Sequence, residues 1–172
     1  MMEKNSRIKY YLISCLGLAA LVALDQLTKV LAVHFLKDKA PVVLIDNVLE
    51  FYYLENSGAA FGILQGKIIF FLISFIVVIF LFVMFARRVP LTKQFLPLRA
   101  CILFIMAGAL GNMIDRLRFQ YVIDFIYFKL IDFPIFNVAD IYVTVSVIVL
   151  VLLIFFYYKE DDLEKILHSS RK

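Results

Sequence analysis

Four apolar runs, each close to the length that crosses a bilayer, leave this chain of 172 residues few folds to choose from. The hydrocarbon core is about 30 Å thick, and about 20 helical residues span it. Residues 11–33, 68–86, 96–114 and 138–158 meet that requirement. They predict an all-α membrane bundle of four transmembrane helices, forming one domain over 1–172. Composition agrees: 63% of the residues are hydrophobic, against about 45–50% in an ordinary soluble domain. The net charge of +4 does not indicate nucleic acid. Its basic residues flank apolar runs and form no aromatic-interleaved patch.

The runs differ in character. The first follows Lys4, Arg7 and Lys9, as a signal peptide would. It continues into DQLTK without a small-x-small site, so it is expected to be retained. The second, IIFFLISFIVVIFLFVMFA, holds one hydroxyl, Ser74, and no charge; it reads as lipid-facing wall. The third ends in MAGALGNMIDR, where Gly108 and Gly111 predict close helix–helix contact.

Two large connections join the runs. Residues 34–67 suggest strands at 42–45 and 48–53, with turns at 46–47 and 56–58. A small extramembrane β-sheet after the first helix fits that pattern, and Gly58, Ala59 and Ala60 allow close backbone approach. Residues 115–137 are aromatic-rich, as a membrane-interface belt is. The charged tail reads as a short surface helix or as disorder. Eleven Lys and Arg lie in the N-terminal segment, the turn around 87–99 and the tail, against six in the two large connections. The positive-inside rule then places both termini in the cytoplasm and both connections outside.

Ionisable residues inside apolar runs are costly and mark functional candidates. Here Asp25 and Lys29 lie near the end of the first run, Asp115 and Arg116 leave the third, Asp140 enters the fourth and Asp124 lies in an apolar setting between them, all towards the outer side on this topology. Asp25 and Lys29 are four apart and able to pair. Asn56, Asn112 and Asn137 suit bridging a polar site, and also suit caps and turns. Asp124 and Asp140 have no basic residue within four positions and sit among Val, Ile, Phe and Tyr. Brought together, they would share one proton and serve hydrolysis. Proton or cation translocation and plain structural pairing are also open for them. Transport predicts acids near the midplane and an inverted repeat, and neither is legible. Cys15 and Cys101 lie inside apolar runs and are expected to be small buried thiols. His34 and His168 lie outside the runs, and there is no HExxH, CxxC or histidine cluster. No metal and no cofactor is expected.

Four blocks together carry a resemblance. They are DQLTK at 25–29, ENSGAAFGIL at 55–64, GALGNMIDRLRFQYVIDFI at 108–126 and FNVAD at 136–140. In this order and spacing the chain resembles the bacterial lipoprotein signal peptidases, or signal peptidase II. The resemblance implies a membrane aspartyl endopeptidase of the bacterial cytoplasmic membrane. It would remove signal peptides from diacylglyceryl-modified prolipoproteins by cutting just before the modified cysteine. Asp124 and Asp140 match the family's catalytic dyad. Asp25, Lys29, Asn56, Gly108, Asn112, Asp115, Arg116 and Asn137 match its supporting polar residues. The sheet resembles the family's cradle, and the second connection a mobile segment that covers the site. Implied partners are the lipid-modified precursor and membrane lipid, with no nucleic acid, and a monomer is expected. One position departs from the pattern: Ile141 stands where the family often has Ser or Thr.

Overall fold

The computed structural model describes residues 4–58 and 68–167. Its helices are α1 (Lys4–Leu36), α2 (Ile68–Arg87), α3 (Leu96–Phe119), α4 (Val138–Leu152) and α5 (Glu160–Leu167). Its strands are β1 (Val42–Ile45), β2 (Leu49–Asn56) and β3 (Val122–Phe128). Among the described residues, three helical stretches are long and apolar enough to cross a membrane: Arg7–Leu36, Lys93–Phe119 and Val138–Tyr157. Leu72–Arg87 within α2 is a shorter apolar helix. The result is a membrane-spanning helical bundle with a small antiparallel sheet after the first helix.

The outward faces of these helices identify their solvent. Leu16, Phe155 and Phe156 are 71–83% exposed, and α2 displays Ile76, Phe80 and Phe82. Such faces would aggregate in water and are at home in hydrocarbon. Burial concentrates at the two ends of the bundle. At one end Phe85, Phe95, Leu98, Ile102 and Met106 pack with Tyr158 and Ile166. The first part of the charged tail forms α5, which docks here through Ile166, and the Asp162 carboxylate accepts from Gln94 Nε2 at 2.8 Å. Arg99, which contributed to the topology count, is 2% exposed. Its guanidinium donates to the carbonyls of Pro90 and Thr92 and to the Tyr10 hydroxyl, and lies 4.4 Å from the Tyr10 ring centre. It staples the α2–α3 turn to α1.

At the other end Ala32 and Leu36 of α1 pack against Ile123 and Phe125 of β3. The sheet order is β1-β2-β3, antiparallel throughout. The hairpin turn falls at 46–47 as expected, with Asn47 in the left-handed region (φ 55°). The turn at 56–58 is closed by the Gly58 N–H donating to Asn56 Oδ1; Ala59 and Ala60 lie outside the described residues. Two differences from the sequence reading bear on the site. Helix α3 runs on to Phe119 and stops at Gln120, in the left-handed region at φ 69°. Asp115 and Arg116 thus belong to the helix, not to the connection. The aromatic stretch beyond it is not only a belt, because β3 is the third strand of the sheet, with Asp124 opposite Leu54. An alternating pattern was hidden there because Val122, Ile123, Asp124 and Phe125 are all buried, and strands buried on both faces show no period of two.

The bundle closes through glycine. A Cβ on Gly108 would overlap the Ala139 carbonyl oxygen and stand 2.7 Å from Val143 Cγ2. Gly108→Ala is therefore expected to force α3 and α4 apart and to cost about 1–3 kcal/mol. Thermal melting in detergent checks it, and an unchanged melting temperature would refute the close packing.

Candidate active site

The polar residues singled out by the sequence meet in one place, where α1, α3, the end of β2, β3 and the start of α4 converge. They fall into two layers. The deeper one is built on Lys29. Its ammonium is 3.0 Å from Asp25 Oδ2 and 2.9 Å from Asp115 Oδ2, and donates to Asn112 Oδ1 at 2.8 Å. An ammonium has three donors, and all three are engaged. Asp25, Lys29 and Asp115 are 0–1% exposed, so each charge depends on the others.

Both of these carboxylates also hold backbone. Asp25 Oδ1 accepts from the Ala139 N–H at 3.0 Å, one of the first-turn donors of α4 that the helix leaves unpaired. Asp115 Oδ2 accepts from the Ile123 N–H at 3.2 Å, next to Asp124 on β3. One acid thereby fixes the helix that carries Asp140, and the other fixes the strand that carries Asp124. Gly111 makes room for this, since a Cβ there would run into the Asp25 carboxylate. Gln26 was missed as a site residue. Its Nε2 donates to Asp115 Oδ1 at 2.9 Å, to the Gly111 carbonyl at 3.2 Å and to Asp25 Oδ2 at 3.2 Å. Its place beside Asp25 within DQLTK was the available signal.

The upper layer holds the other two acids, and amides surround them. Asp124 Oδ1 accepts from Asn137 Nδ2 at 2.6 Å, and its Oδ2 from Asn56 Nδ2 at 2.8 Å. Asp140 Oδ1 accepts from Asn112 Nδ2 at 2.8 Å, and its Oδ2 from the Asn137 N–H at 3.1 Å. Asn137 is the N-cap of α4 and Asp140 its third residue, in a reciprocal capping box. The cap alternative for this asparagine therefore holds together with the bridging one. Its side chain closes the helix end and donates to the Asp124 carboxylate, while its backbone N–H donates to the Asp140 carboxylate. Each amide has one orientation available. Asn112 Oδ1 accepts from Lys29 and from Asn137 Nδ2, and Asn137 Oδ1 accepts from the Asp140 N–H. Asn56 Oδ1 accepts from Gly58. Arg116 donates to the Asn112 carbonyl at 3.3 Å, and its charge is felt by Asp140, Asp124 and Asp115.

Asp124 is 2% exposed, while Asp140 is half-buried. Burial, the largest cause, pushes the Asp124 carboxyl up to about 6; the Asn56 amide opposes this, the Asp140 charge adds to it and the Asn137 amide opposes it. Two carboxyls beside one asparagine, with burial raising the Asp124 carboxyl, are an arrangement that can serve acid–base chemistry. The shift also sets a pH dependence. The folded protein binds this proton more tightly than the unfolded chain, whose Asp titrates near 3.8. The associated stability is complete below that value and is lost as pH rises through about 6, roughly 3 kcal/mol in all. Melting temperature in detergent is expected to fall between pH 4 and 6 in the wild type and to fall less in Asp124→Asn. Parallel curves for the two proteins would contradict the shift.

Known proteins share this arrangement of sequence. The family profile described as Signal peptidase (SPase) II matches residues 18–156. Lipoprotein signal peptidase of Clostridium tetani (strain Massachusetts / E88) is 42% identical over 132 residues, which cover 75% of this chain and 83% of that protein. Lipoprotein signal peptidase of Streptococcus pyogenes serotype M5 (strain Manfredo) is 42% identical over 135 residues, covering 78% and 88%. A solved chain described as a bacterial membrane enzyme structure, obtained by the in meso method at 2.3 Å resolution, superposes with a TM-score of 0.73 at 35% identity. The superposition covers 86% of this chain and 92% of that one.

Proposed function

Since the chain belongs to the signal peptidase II family, we propose that Asp124 and Asp140 are its catalytic dyad. The protein is a multi-pass membrane aspartyl endopeptidase that processes prolipoprotein signal peptides. The observation that carries the assignment is the bridging role of Asn137, which touches both carboxylates from a single helix cap. Asp25 and Asp115 share a buried ammonium and hold backbone. They are positioning residues, with Lys29, Gln26, Asn56, Asn112, Asn137 and Arg116.

Asp124 holds the proton of the couple, and Asp140 acts as the base. Asp140 takes a proton from a water molecule as its oxygen attacks the scissile carbonyl. Asp124 gives its proton to the carbonyl oxygen, leaving a neutral tetrahedral diol. Collapse returns a hydroxyl proton to Asp124 as the carbon–nitrogen bond breaks. Asp140 delivers its proton to the departing amine, and the dyad is regenerated with one proton. The asparagines hold both carboxylates still throughout, which favours positioning over reorganisation.

The substrate is a precursor whose cysteine already carries diacylglycerol, and the cut falls immediately before that cysteine. Both termini lie in the cytoplasm, and the dyad lies towards the outer face of the bacterial cytoplasmic membrane. The distribution of Lys and Arg supports this orientation. The whole chain acts as one membrane domain and works as a monomer.

The deciding experiment offers purified protein a synthetic precursor peptide with and without diacylglycerol on the cysteine. Mass spectrometry of the products is expected to show a single cut before the modified cysteine and at least about tenfold slower cleavage of the unmodified peptide, since remote binding energy drives the chemical step. Equal rates on the two peptides would reject the lipid-modified substrate. A cut elsewhere would reject the position.

A further inference from the structure

A groove of about 550 Å³ opens on the three-stranded sheet, beside the dyad and without a role in the mechanism above. One wall is Glu50, Tyr52, Leu54 and Asn56, alternate residues of β2 that point to one face. The other is Tyr127, Lys129 and the stretch 132–135 that leads back to Asn137. We propose that this groove binds the exported part of the precursor, the first few residues after the modified cysteine, in extended form. Its far end, at Glu50 and Asp132, selects a basic side chain over an acidic one. The proposal rests on the dyad and the substrate assigned above.

Three observations point to that occupant. The first is continuity with the dyad. Asn56 lines the groove and donates to Asp124 at 2.8 Å. Leu54, in the same wall, is the strand partner of Asp124, and residues directly opposite each other share a face of the sheet. The second wall ends at Ile135, two residues before Asn137, whose amide and backbone N–H donate to the two acids. Both walls therefore begin at the acids and run away from them along the sheet. The second is chemistry. Glu50, Lys129 and Asp132 line the far end, and ionisable groups are costly to cover with hydrocarbon. This is not a lipid face. Tyr52, Leu54 and Phe133 are still 37–49% exposed in it. Apolar walls with a few polar groups suit a bound polypeptide.

The third is size. A helix about 10 Å across, rising about 1.5 Å per residue, gives each residue about 120 Å³. The groove therefore holds about four or five residues. A membrane-spanning signal peptide of about 20 residues is several times too large, and its place is in the bilayer. The exported half of the precursor is the one left to follow the sheet. Five extended residues cover about 17 Å, close to the roughly 20 Å of β2 from Asn56 to Glu50. About the fifth residue after the cysteine thus meets the charged end. There Lys129 pairs with Glu50 Oε1 at 2.6 Å, and the Tyr127 hydroxyl donates to Asp132 Oδ1 at 2.6 Å. Two carboxylates face one ammonium, which leaves one negative charge in excess. The Glu50 side chain is 8% exposed, so salt screens it less than a surface charge.

The test gives full-length protein in detergent–lipid micelles three precursors that differ only after the diacylglyceryl-cysteine. One ends there as an amide. Two carry five further residues, with Lys or Glu as the fifth. The wild-type protein is expected to cut the Lys precursor at least about tenfold better in kcat/KM than the truncated one, and about threefold better than the Glu precursor. Tyr52→Ala is expected to lower kcat/KM for the Lys precursor at least about fivefold and to leave the truncated precursor within about twofold. Glu50→Gln is expected to abolish the preference for Lys over Glu; its partner Lys129, 44% exposed, stays solvated. Tyr52→Ala losses that are equal on truncated and extended precursors overturn the groove. A wild-type protein without the Lys preference, or a preference that survives Glu50→Gln, overturns the charge selection. A second measurement needs no turnover. Asp124→Asn protein is irradiated with an extended precursor that carries a diazirine on the third residue after the cysteine. Labelling within 50–56 or 127–135, displaced by unlabelled precursor, supports the groove, and labelling elsewhere overturns it. The two readings fail differently. A wild-type protein that cuts none of the three precursors refutes the signal peptidase reading and the groove with it. One that cuts all three at the same rate refutes the groove alone.

Discussion

Asp124→Asn and Asp140→Asn are each expected to lower kcat by at least about 10³-fold, with the double variant hardly worse than either alone. Non-additivity is the signature of two groups that act as one unit. The substitutions are close to isosteric, and the hydrogen bonds show what else they change. All four oxygens of the two carboxylates accept from N–H groups, so an amide in either place turns one NH₂ towards another donor. The neighbours do not rotate to relieve this. The Asn112 oxygen is held by Lys29, the Asn137 oxygen by the Asp140 N–H and the Asn56 oxygen by the Gly58 N–H. Each variant therefore loses one hydrogen bond, about 1 kcal/mol, and remains folded. Cleavage of the lipid-modified precursor, measured beside a melting curve, separates chemistry from folding. A folded Asp124→Asn protein that still cuts at the wild-type rate would falsify the dyad.

Lys29→Met is expected to be the most damaging single change to stability, costing about 3–5 kcal/mol. It leaves Asp25 and Asp115, both 0–1% exposed, without the cation they share. The effect reaches the dyad through backbone. Asp25 holds the first turn of α4 at Ala139, and Asp115 holds β3 at Ile123. Any Lys29→Met protein that does fold should also cut at least about tenfold more slowly, because misplacing the acids weakens catalysis steeply. Adding Asp25→Asn and Asp115→Asn removes the buried like charges and is expected to recover part of the melting temperature. Melting in detergent measures both. A Lys29→Met protein that melts like the wild type would mean that the ion triad contributes nothing to the fold.

The two predictions separate four acids that the sequence presents alike. Asp25, Asp115 and Asp140 are acids near the ends of apolar runs, and Asp124 is an acid in an apolar setting between two of them. Local spacing suggested the Asp25–Lys29 pair, because residues four apart on a helix meet. It did not reveal that Asp115 shares the same ammonium from another helix, nor that Gln26 ties the two acids together. Asp124 was legible as an acid in an apolar setting. Its strand was not, because burial on both faces erased the alternation that marks a strand. Asn137 was legible as a cap or a bridge. That it is both depends on where β3 lies. Arg99 counted as an inward-facing charge, and only packing revealed that it binds carbonyls inside the protein.

The apolar runs, the hairpin turn at Asn47, the glycines of the third run and the identity of the acids are local properties. A single chain carries them in composition, length and period, so the sequence alone determined the membrane-spanning class and the residues worth testing. Which acid meets which partner is a relation between distant segments. Asp25 and Ala139 are 114 residues apart, and Asn56 and Asp124 are 68 apart. Side-chain hydrogen bonds act over about 3 Å, far less than the uncertainty with which any sequence pattern positions two helices. Tertiary packing therefore decided the sorting into an ammonium-held pair and an amide-held pair, which supports the dyad proposed above.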